Sequence, residues 1–142
     1  MRIERFLPVD LRLMEVQAEQ RLGMELMTPE QAQMVAAAEA YTGWVGDKPV
    51  ICAGVLPMWE GREIAWAFIA DGCSSNFVSI HRAVDRFFRW RRTARIETTV
   101  ACDFEQGHRW VKLLGFECEA PRMRAWGRDG RDYALYARYA SV

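Results

Sequence analysis

The sequence lacks an excess of charge of either sign. Its 142 residues include 19 basic and 19 acidic side chains, so the formal net charge is zero at pH 7. Bulk electrostatics therefore favours neither a nucleic-acid backbone nor an anionic membrane surface. Long apolar runs are also missing: no stretch approaches the roughly 20 residues that cross a bilayer, and residues 1–5 contain no apolar signal core. These absences predict a soluble intracellular protein, or one packaged inside a larger particle.

Paired cysteines and common catalytic spacings are missing as well. The four cysteines never form a Cys-x-x-Cys pair, and each lies in an apolar or strand-like context: Cys52, Cys73, Cys102 and Cys118. We expect buried, reduced thiols, with a zinc site or a disulfide framework as the alternatives. There is no Ser-His-Asp order, metal-ligand spacing or dinucleotide-binding glycine pattern. No metal is therefore predicted.

The residues that are present indicate an ordered domain with a substantial core. Apolar residues make up 51% of the chain, and six tryptophans are among them, which argues against disorder. No linker, repeat or low-complexity segment interrupts the sequence. We expect one domain over residues 1–142.

A short strand and two helices are predicted in the first forty residues. Residues 2–7 have strand character, and Asp10 suits the cap of a helix that Gly23 closes. The buried stripe of this helix would be Leu11, Met14, Ala18 and Leu22. Residues 28–31 (Thr-Pro-Glu-Gln) combine a capping threonine, proline at the first helical position and glutamine three residues after the cap. This pattern predicts a second helix that ends near Ala40.

The hydrophobic period then changes to that of strands. Residues 41–45 and 50–58 read as strands joined by the turn 46–49, and residues 63–70 form a third strand. Gly54 suggests a bulge in the second of these strands.

A helix follows that is apolar on one side and basic on the other. Ser74, Ser75 and Asn76 are good caps, and the helix continues to about residue 91. Its buried stripe would be Phe77, Ile80, Val84, Phe87 and Phe88. The opposite face carries Arg82, Arg86 and Arg89, with Trp90 beside them. This face is either solvated or binds an acidic partner, and at zero net charge a protein surface ranks above nucleic acid.

The last third begins with a strand over residues 95–102 and a short helix over 105–114. Gly115 suits the left-handed position that ends a helix, and Phe116 starts the next strand. A final hairpin is predicted from strands 116–126 and 131–139. We expect the aromatic strand at residues 133–139 to be an edge strand, which could pair with a second copy of the chain to form a homodimer.

The resulting order, β-α-α-β-β-β-α-β-α-β-β, resembles the GNAT N-acetyltransferase superfamily over essentially the whole chain. The helix that ends in Leu-Gly-Phe at 114–116 is similar to the family's Lys-Leu-Gly-Phe turn. The resemblance implies an α+β, three-layer fold whose central sheet is mixed but mostly antiparallel, with helices on both faces. It also implies acetyl-CoA as the cofactor.

The resemblance further implies where a cofactor would bind. The family's Gln/Arg-x-x-Gly-x-Gly/Ala loop corresponds here to residues 71–76, which keep one glycine and begin with an acid, Asp71. An acid at this point would repel a pyrophosphate, whereas serines at a helix start could donate hydrogen bonds to one. The implied cofactor-binding residues are Phe68, Ile69, Ala70, Gly72, Ser74, Ser75 and Asn76. The alternative is that the serines only cap the helix.

The catalytic positions depart from the family pattern. Phe104 and Val111 occupy the positions where the family carries Asn and Tyr, and neither can transfer a proton. A base could come from Glu63 or from His108. The alternatives are a solvated hairpin acid and a histidine with a surface or capping role. His81, one helical turn before an acid, is interpreted as part of an exposed pair.

Residues 108–139 also resemble the acetyltransferase-like proteins of tailed phages, including internal virion protein A. This resemblance implies phage or prophage origin, location in the host cytoplasm or the virion, and a role in virion assembly, DNA ejection or modification of a host target. The leading hypothesis is binding of a phage or host protein with catalysis lost or reduced. The alternatives are an active acyltransferase with a divergent cofactor loop and, more weakly, a nucleic-acid-binding module that uses the basic helix.

Overall fold

The computed structural model describes residues 1–140, and within this range seven strands form one mixed sheet in the order β1-β2-β3-β4-β5-β7-β6. The strands are β1 (Arg2–Arg5), β2 (Glu39–Val45), β3 (Lys48–Trp59), β4 (Arg62–Ile69), β5 (Arg95–Ala101), β6 (Glu117–Met123) and β7 (Tyr133–Tyr139). The helices are α1 (Pro8–Leu13), α2 (Arg21–Glu25), α3 (Pro29–Ala37), α4 (Phe77–Arg89) and α5 (Glu105–Leu113). Strand β4 runs parallel to β5, whereas the pairs β1/β2, β2/β3, β5/β7 and β6/β7 are antiparallel. The predicted α+β class and the mixed, mostly antiparallel sheet are confirmed.

The chain divides into two compact units. The first comprises residues 1–56 and 65–84, and the second comprises 57–64 and 85–140. The expected single domain over 1–142 stays a prediction. No helix within residues 1–140 has the length and apolar character needed to cross a bilayer.

The first helix of the first unit differs from its prediction. Helix α1 begins at Pro8, and Asp10 lies inside it, 4% exposed. Its carboxylate accepts a hydrogen bond from the Leu7 N–H group (3.0 Å) and another from the buried Thr42 hydroxyl (2.7 Å). The predicted continuous helix is therefore wrong: after Leu13 the chain is extended, then forms a 3-10 turn, and only then enters α2. Asp10 caps the helix start from within and ties it to β2, a contact distant in sequence.

Helix α3 begins as its sequence predicts. The Thr28 hydroxyl accepts from the Gln31 N–H group (3.1 Å), and the Gln31 side chain accepts from the Thr28 N–H group (3.0 Å). Both donors are otherwise left open at a helix start, so the reciprocal pair satisfies them locally. The helix ends at Ala37, before the expected end.

The core of the first unit joins its helices to its strands. It is built from Phe6, Leu11, Met14, Val35, Ala40 and Cys52, with Trp66 and Phe68 packed against it. Phe6 meets Trp66 edge-on, with ring centroids 5.5 Å apart. Burial raises the pKa of the Cys52 thiol to about 12.

The expectation of four buried thiols is only partly right. All four cysteines are free, but Cys73 and Cys102 are half-buried and Cys118 is exposed. Cys118 lies on β6, a strand that is largely exposed.

Gly54 allows two strands to approach closely. A Cβ atom at this position would lie 2.4 Å from the Glu39 carbonyl oxygen of β2. The register shift between β2 and β3 falls instead between Gly43 and Trp44. The pairing with β2 therefore has no bulge at Gly54, where a glycine is needed because an added Cβ atom would have no space.

In the second unit, the final strand is not at an edge. Strand β7 lies between β5 and β6, and it pairs with both over most of its length. Its backbone groups are thus already used, so the predicted pairing of this strand with a second copy is wrong. Gly115 has φ +91°, as its predicted place at the helix end requires. Phe88 and Phe116 pack edge-to-face at 5.3 Å.

Candidate functional site

The end of β4 is occupied by another part of the first unit. The Gln20 side-chain amide donates to the Ala67 carbonyl oxygen (2.6 Å) and accepts from the Ile69 N–H group (2.9 Å). The Gln17 backbone N–H group donates to the Ile69 carbonyl oxygen (2.8 Å), and the Gln17 side chain donates to that of Gln20 (2.9 Å). Two glutamines therefore satisfy the backbone of β4 where a bound molecule would otherwise find its polar groups.

The chain just before Gln17 continues this pairing. Val16 forms an isolated antiparallel bridge with Ala70, and the Asp71 N–H group donates to the Glu15 carbonyl oxygen (2.7 Å). The Ala70 N–H group donates to Val50 of β3 (3.0 Å), on the opposite edge of the strand.

In the second unit, β4 meets β5 only at its start. The Arg95 N–H group donates to the Gly61 carbonyl oxygen (3.0 Å). The ladder between β4 and β5 extends over Arg62–Ile64 and 95–97.

The loop after β4 leads into α4 through a 3-10 turn over Ser74–Asn76. The Asn76 N–H group donates to the Cys73 carbonyl oxygen (2.8 Å), and the Phe77 N–H group donates to that of Ser74. Ser74 and Ser75 are exposed. Within residues 1–140, their N–H groups have no protein acceptor.

The sequence-predicted cofactor residues therefore differ in what they can offer. Phe68 packs against Trp66 in the core, and Ile69 is buried with both backbone groups bonded. Ala70 donates its N–H group to β3. Gly72, Ser74, Ser75 and Asn76 lie in the loop and the 3-10 turn, with Asn76 partly buried.

Glu63 lies in the second unit and is not a solvated hairpin acid. It is 8% exposed, and both carboxylate oxygens accept hydrogen bonds from the Arg91 guanidinium, at 2.7 and 2.5 Å. The Thr93 hydroxyl donates a further bond of 2.6 Å. The Arg91 hydrogen bonds lower the pKa of Glu63 against the opposing effect of burial. A carboxylate held ionised in this way is a weak proton acceptor.

His108 is also engaged on both ring nitrogens. Nε2 lies 3.0 Å from the Ala101 carbonyl oxygen and 3.1 Å from that of Cys102, and Nδ1 lies 2.7 Å from the Tyr136 hydroxyl. Carbonyl oxygens only accept, so we assign the proton to Nε2, and Nδ1 then accepts from Tyr136. Burial raises the pKa of the Tyr136 hydroxyl. The ring therefore joins α5 to the end of β5.

The two positions that depart from the family pattern have structural roles. Phe104 immediately precedes α5, and Val111 is 8% exposed on the inner side of that helix. Neither side chain carries a proton that it could transfer.

The arginines of α4 and of the segment after it, at positions 82, 86, 89, 91, 92 and 95, form a basic run whose members differ in their contacts. Arg91 bonds to Glu63, and Arg95 bonds to Glu97 (2.9 Å) and to Glu119, so these two arginines hold the fold together. Exposed positions are Arg82, Arg86, Arg89 and Trp90, the last with 73% of its surface accessible. Arg89 forms an ion pair with Asp85 (2.6 Å). Within residues 1–140, Arg82 and Arg86 have no ion pair.

Sequence reasoning missed the Glu63–Arg91 pair and the two glutamines on β4. The members of the ion pair are 28 residues apart, and Gln20 lies 47 and 49 residues from its β4 partners. Neither spacing is a periodic signal. The sequence offers one hint, the density of arginines in and after α4.

In comparison with solved structures, this architecture is similar to that of GNAT N-acetyltransferases. The chain is similar to Ard1 from Thermoplasma volcanium (13% identity, 99% of this chain and 98% of that one, TM-score 0.75). It is also similar to a GNAT-family acetyltransferase from Bacillus anthracis (14% identity, 96% and 93%, TM-score 0.67) and to the ribosomal-protein-S5-alanine acetyltransferase from Vibrio fischeri (11% identity, 98% and 92%, TM-score 0.72). No protein-family model and no curated protein matches the sequence. The chain therefore has the GNAT fold, and at these identities the likeness extends to the fold alone.

Proposed function

We propose that this chain is a GNAT-fold binding protein in which acetyl transfer is lost or much reduced. The observation that carries the proposal is the occupied edge of β4. In the fold family, the cofactor's pantetheine arm lies between splayed strands, and here Gln17 and Gln20 already bond to the backbone of Ala67 and Ile69. A cofactor would have to break these hydrogen bonds before it could form its own.

The state of the proton-transfer candidates supports the same conclusion. Glu63 is held by Arg91, and His108 uses both nitrogens within the protein. Val111 replaces the side chain that would protonate a thiolate. A working site would need at least one free acid or base with a suitable pKa.

Calorimetric titration with acetyl-CoA, followed by an assay for CoA release to an amine, tests this proposal. We expect no saturable binding at micromolar concentrations and no release of CoA above background. The variant Gln20→Ala removes the side chain that bonds to the Ala67 carbonyl oxygen and the Ile69 N–H group, so both become free to bind a ligand. Gln106→Ala, on the exposed side of α5, is the matched control. Micromolar binding by the unaltered chain, with transfer to an amine, would refute the proposal.

The binding surface that we propose is the exposed side of α4. Arg82 and Arg86 are exposed without ion pairs among the described residues, and Trp90 presents a large aromatic surface beside them. Arginine and tryptophan are the residue types that dominate protein interfaces energetically. The partner is an acidic surface of a phage or host protein.

Charge reversal on this helix tests the partner. Arg82→Glu with Arg86→Glu should remove the partner from affinity purifications, whereas Arg109→Glu, exposed on α5, should leave it bound. If the partner is instead nucleic acid, binding will fall steeply with salt in the unaltered protein. That result would favour the nucleic-acid-binding module over a protein partner.

We place the protein in a tailed phage or prophage, in the host cytoplasm or the virion, because residues 108–139 resemble acetyltransferase-like phage proteins. A role in virion assembly or DNA ejection requires the chain to be present in purified particles. Mass spectrometry of particles measures this directly, and absence at every stage of infection would contradict the placement.

An active N-acetyltransferase is the second candidate, and one observation favours it. The N–H groups of Ser74 and Ser75 are open at the start of α4, a helix of 13 residues, and such groups bind phosphates. If this candidate is right, Ser75→Glu should reduce kcat/KM for acetyl-CoA by about tenfold or more through charge repulsion. Ser79→Glu, exposed within the same helix, should change it little.

A further inference from the structure

Strands β1 and β6 stand at the two ends of the sheet order, so each has one edge without a neighbouring strand among residues 1–140. Strand β6 is protected against further pairing. It contains Pro121, its register with β7 shifts twice, and its charged residues Glu119 and Arg122 already bond within the chain. Proline, irregular register and charge are the features with which proteins block an edge strand.

Strand β1 has neither a proline nor a register shift. Its four residues, Arg2–Arg5, pair regularly with β2, and all four are exposed. Side chains alternate along a strand, so Met1 and Ile3 share one face with Tyr41 of β2, which lies opposite Arg5. Met1, Ile3 and Tyr41 are 40%, 53% and 39% exposed. The open edge therefore has an exposed apolar face beside it.

The backbone groups at this edge have a definite direction. The Phe6 N–H group donates to the Ala40 carbonyl oxygen of β2 (3.0 Å). In an antiparallel pair the residues that bond to the neighbouring strand alternate with residues whose groups point away from it. The N–H and C=O groups of Ile3 and Arg5 therefore point away from β2, toward the open edge. A second strand could bond to them without breaking any bond of the sheet.

The sequence of β1 is complementary to itself in one antiparallel register. When Ile3 lies opposite Ile3 of a second copy, Arg2 lies opposite Glu4 at both symmetry-related positions. A two-fold axis at Arg2 or at Glu4 would also bring the open backbone groups together, but it would oppose like charges, which destabilises a strand pair. Arg2 and Glu4 already bond within one copy (3.1 Å), so the favoured register makes a ring of four charges with alternating sign.

We propose that β1 binds β1 of a second copy of this chain in the register with Ile3 on the two-fold axis. The two Ile3 residues exchange both of their backbone hydrogen bonds, and the exposed apolar face continues from one copy into the other. A strand of four residues buries little surface, so the association is a concentration-dependent equilibrium between monomer and dimer. The zero net charge of the chain does not oppose it. None of these residues belongs to the proposed surface on α4, so the dimer is independent of the proposed function.

Sedimentation equilibrium of the full chain, with no tag before Met1, measures this association. We expect monomer at low micromolar concentration and a rising fraction of dimer toward the millimolar range. Glu4→Arg opposes two arginines at both symmetry-related positions and should raise the dissociation constant about tenfold or more. Arg2→Glu combined with Glu4→Arg brings unlike charges together again and should restore the association. Glu117→Arg, exposed on β6, is the matched control and should change it little.

Ile3→Pro tests the backbone contact separately. Because the Ile3 N–H group points away from β2, proline removes the bonds between the copies and none within the sheet, so the dimer should disappear while melting followed by circular dichroism confirms folding. The proposal is overturned if the unaltered chain stays monomeric up to millimolar concentration, if Glu4→Arg associates as tightly as the unaltered chain, or if the charge-exchanged variant does not recover. Equal weakening by Glu117→Arg and Glu4→Arg would also overturn it. If Ile3→Pro does not fold, the charge variants still decide between these outcomes.

Discussion

Arg91 and Glu63 meet in a two-point ion pair, with Nε 2.7 Å from one carboxylate oxygen and Nη2 2.5 Å from the other. Their side chains are 20% and 11% exposed, and Thr93 donates a third hydrogen bond to the same carboxylate. The pair ties the segment after α4 to the beginning of β4. A planar guanidinium can bond to both oxygens of a carboxylate, so the contact pairs the two charges and also fixes the relative orientation of the two side chains.

Glu63→Gln should therefore destabilise the protein by about 2–4 kcal/mol, because it removes the carboxylate charge that the mostly buried Arg91 guanidinium contacts at two points. The pKa of Glu63 is lowered in the fold, so its stabilisation is complete above the unfolded value of about 4.3 and is lost as the pH falls through the folded value. Urea unfolding at several pH values measures both effects. The variant should lose less stability on acidification than the unaltered protein.

The exposed Arg2–Glu4 pair is the control for this prediction, with side chains 56% and 54% exposed. Glu4→Gln should cost less than about 1 kcal/mol. Equal losses for the two variants would show that the buried pair has no special role.

Tyr136→Phe should lower the free energy of unfolding by about 1 kcal/mol. The change removes the hydroxyl that donates to His108 and keeps the packing of the ring. Tyr41→Phe is the control, because the Tyr41 hydroxyl bonds to Glu39 at an exposed position. Chemical unfolding compares the two, and a loss at Tyr41 as large as that at Tyr136 would contradict the account of His108 as an internal link.

Gly54→Ala should destabilise the protein by about 1–3 kcal/mol, because the new Cβ atom would lie 2.4 Å from a backbone oxygen of β2 and the strands must shift. Gly23→Ala should instead stabilise the protein. Gly23 lies in α2 with no atom within 4 Å of an added Cβ, so alanine gains up to about 1 kcal/mol of helix propensity. Thermal melting separates the two, and a neutral Gly54→Ala would refute the close approach.

Thr28→Ala should cost about 1 kcal/mol, because it removes the acceptor for the Gln31 N–H group at the start of α3. Thr28→Ser retains the hydroxyl and should restore most of the loss. Both values come from urea unfolding. An alanine variant as stable as the serine variant would show that water replaces the cap.

Local patterns predicted the elements whose hydrogen bonds are local. The capping box at Thr28, the helix end at Gly115 and the alternation of the strands all arise within a few residues, so neighbouring side chains identify them. The single helix expected from Asp10 to Gly23 ends instead at Leu13, because the chain after it is extended and Val16 pairs with Ala70. Asp10 lies inside the helix, and its carboxylate also bonds to Thr42, 32 residues away. Distant contacts of this kind override helical periodicity and leave no periodic trace.

The same division applies to the site. The sequence alone determined the fold class. It also showed that Phe104 and Val111 cannot transfer a proton, because residue type by itself decides that chemistry. Only the tertiary structure decided that Glu63 is held by Arg91, that His108 links α5 to β5, and that Gln17 and Gln20 cover the edge of β4. Hydrogen bonds between segments depend on which polar groups folding brings to within 3 Å or so. Sequence spacing does not encode that distance.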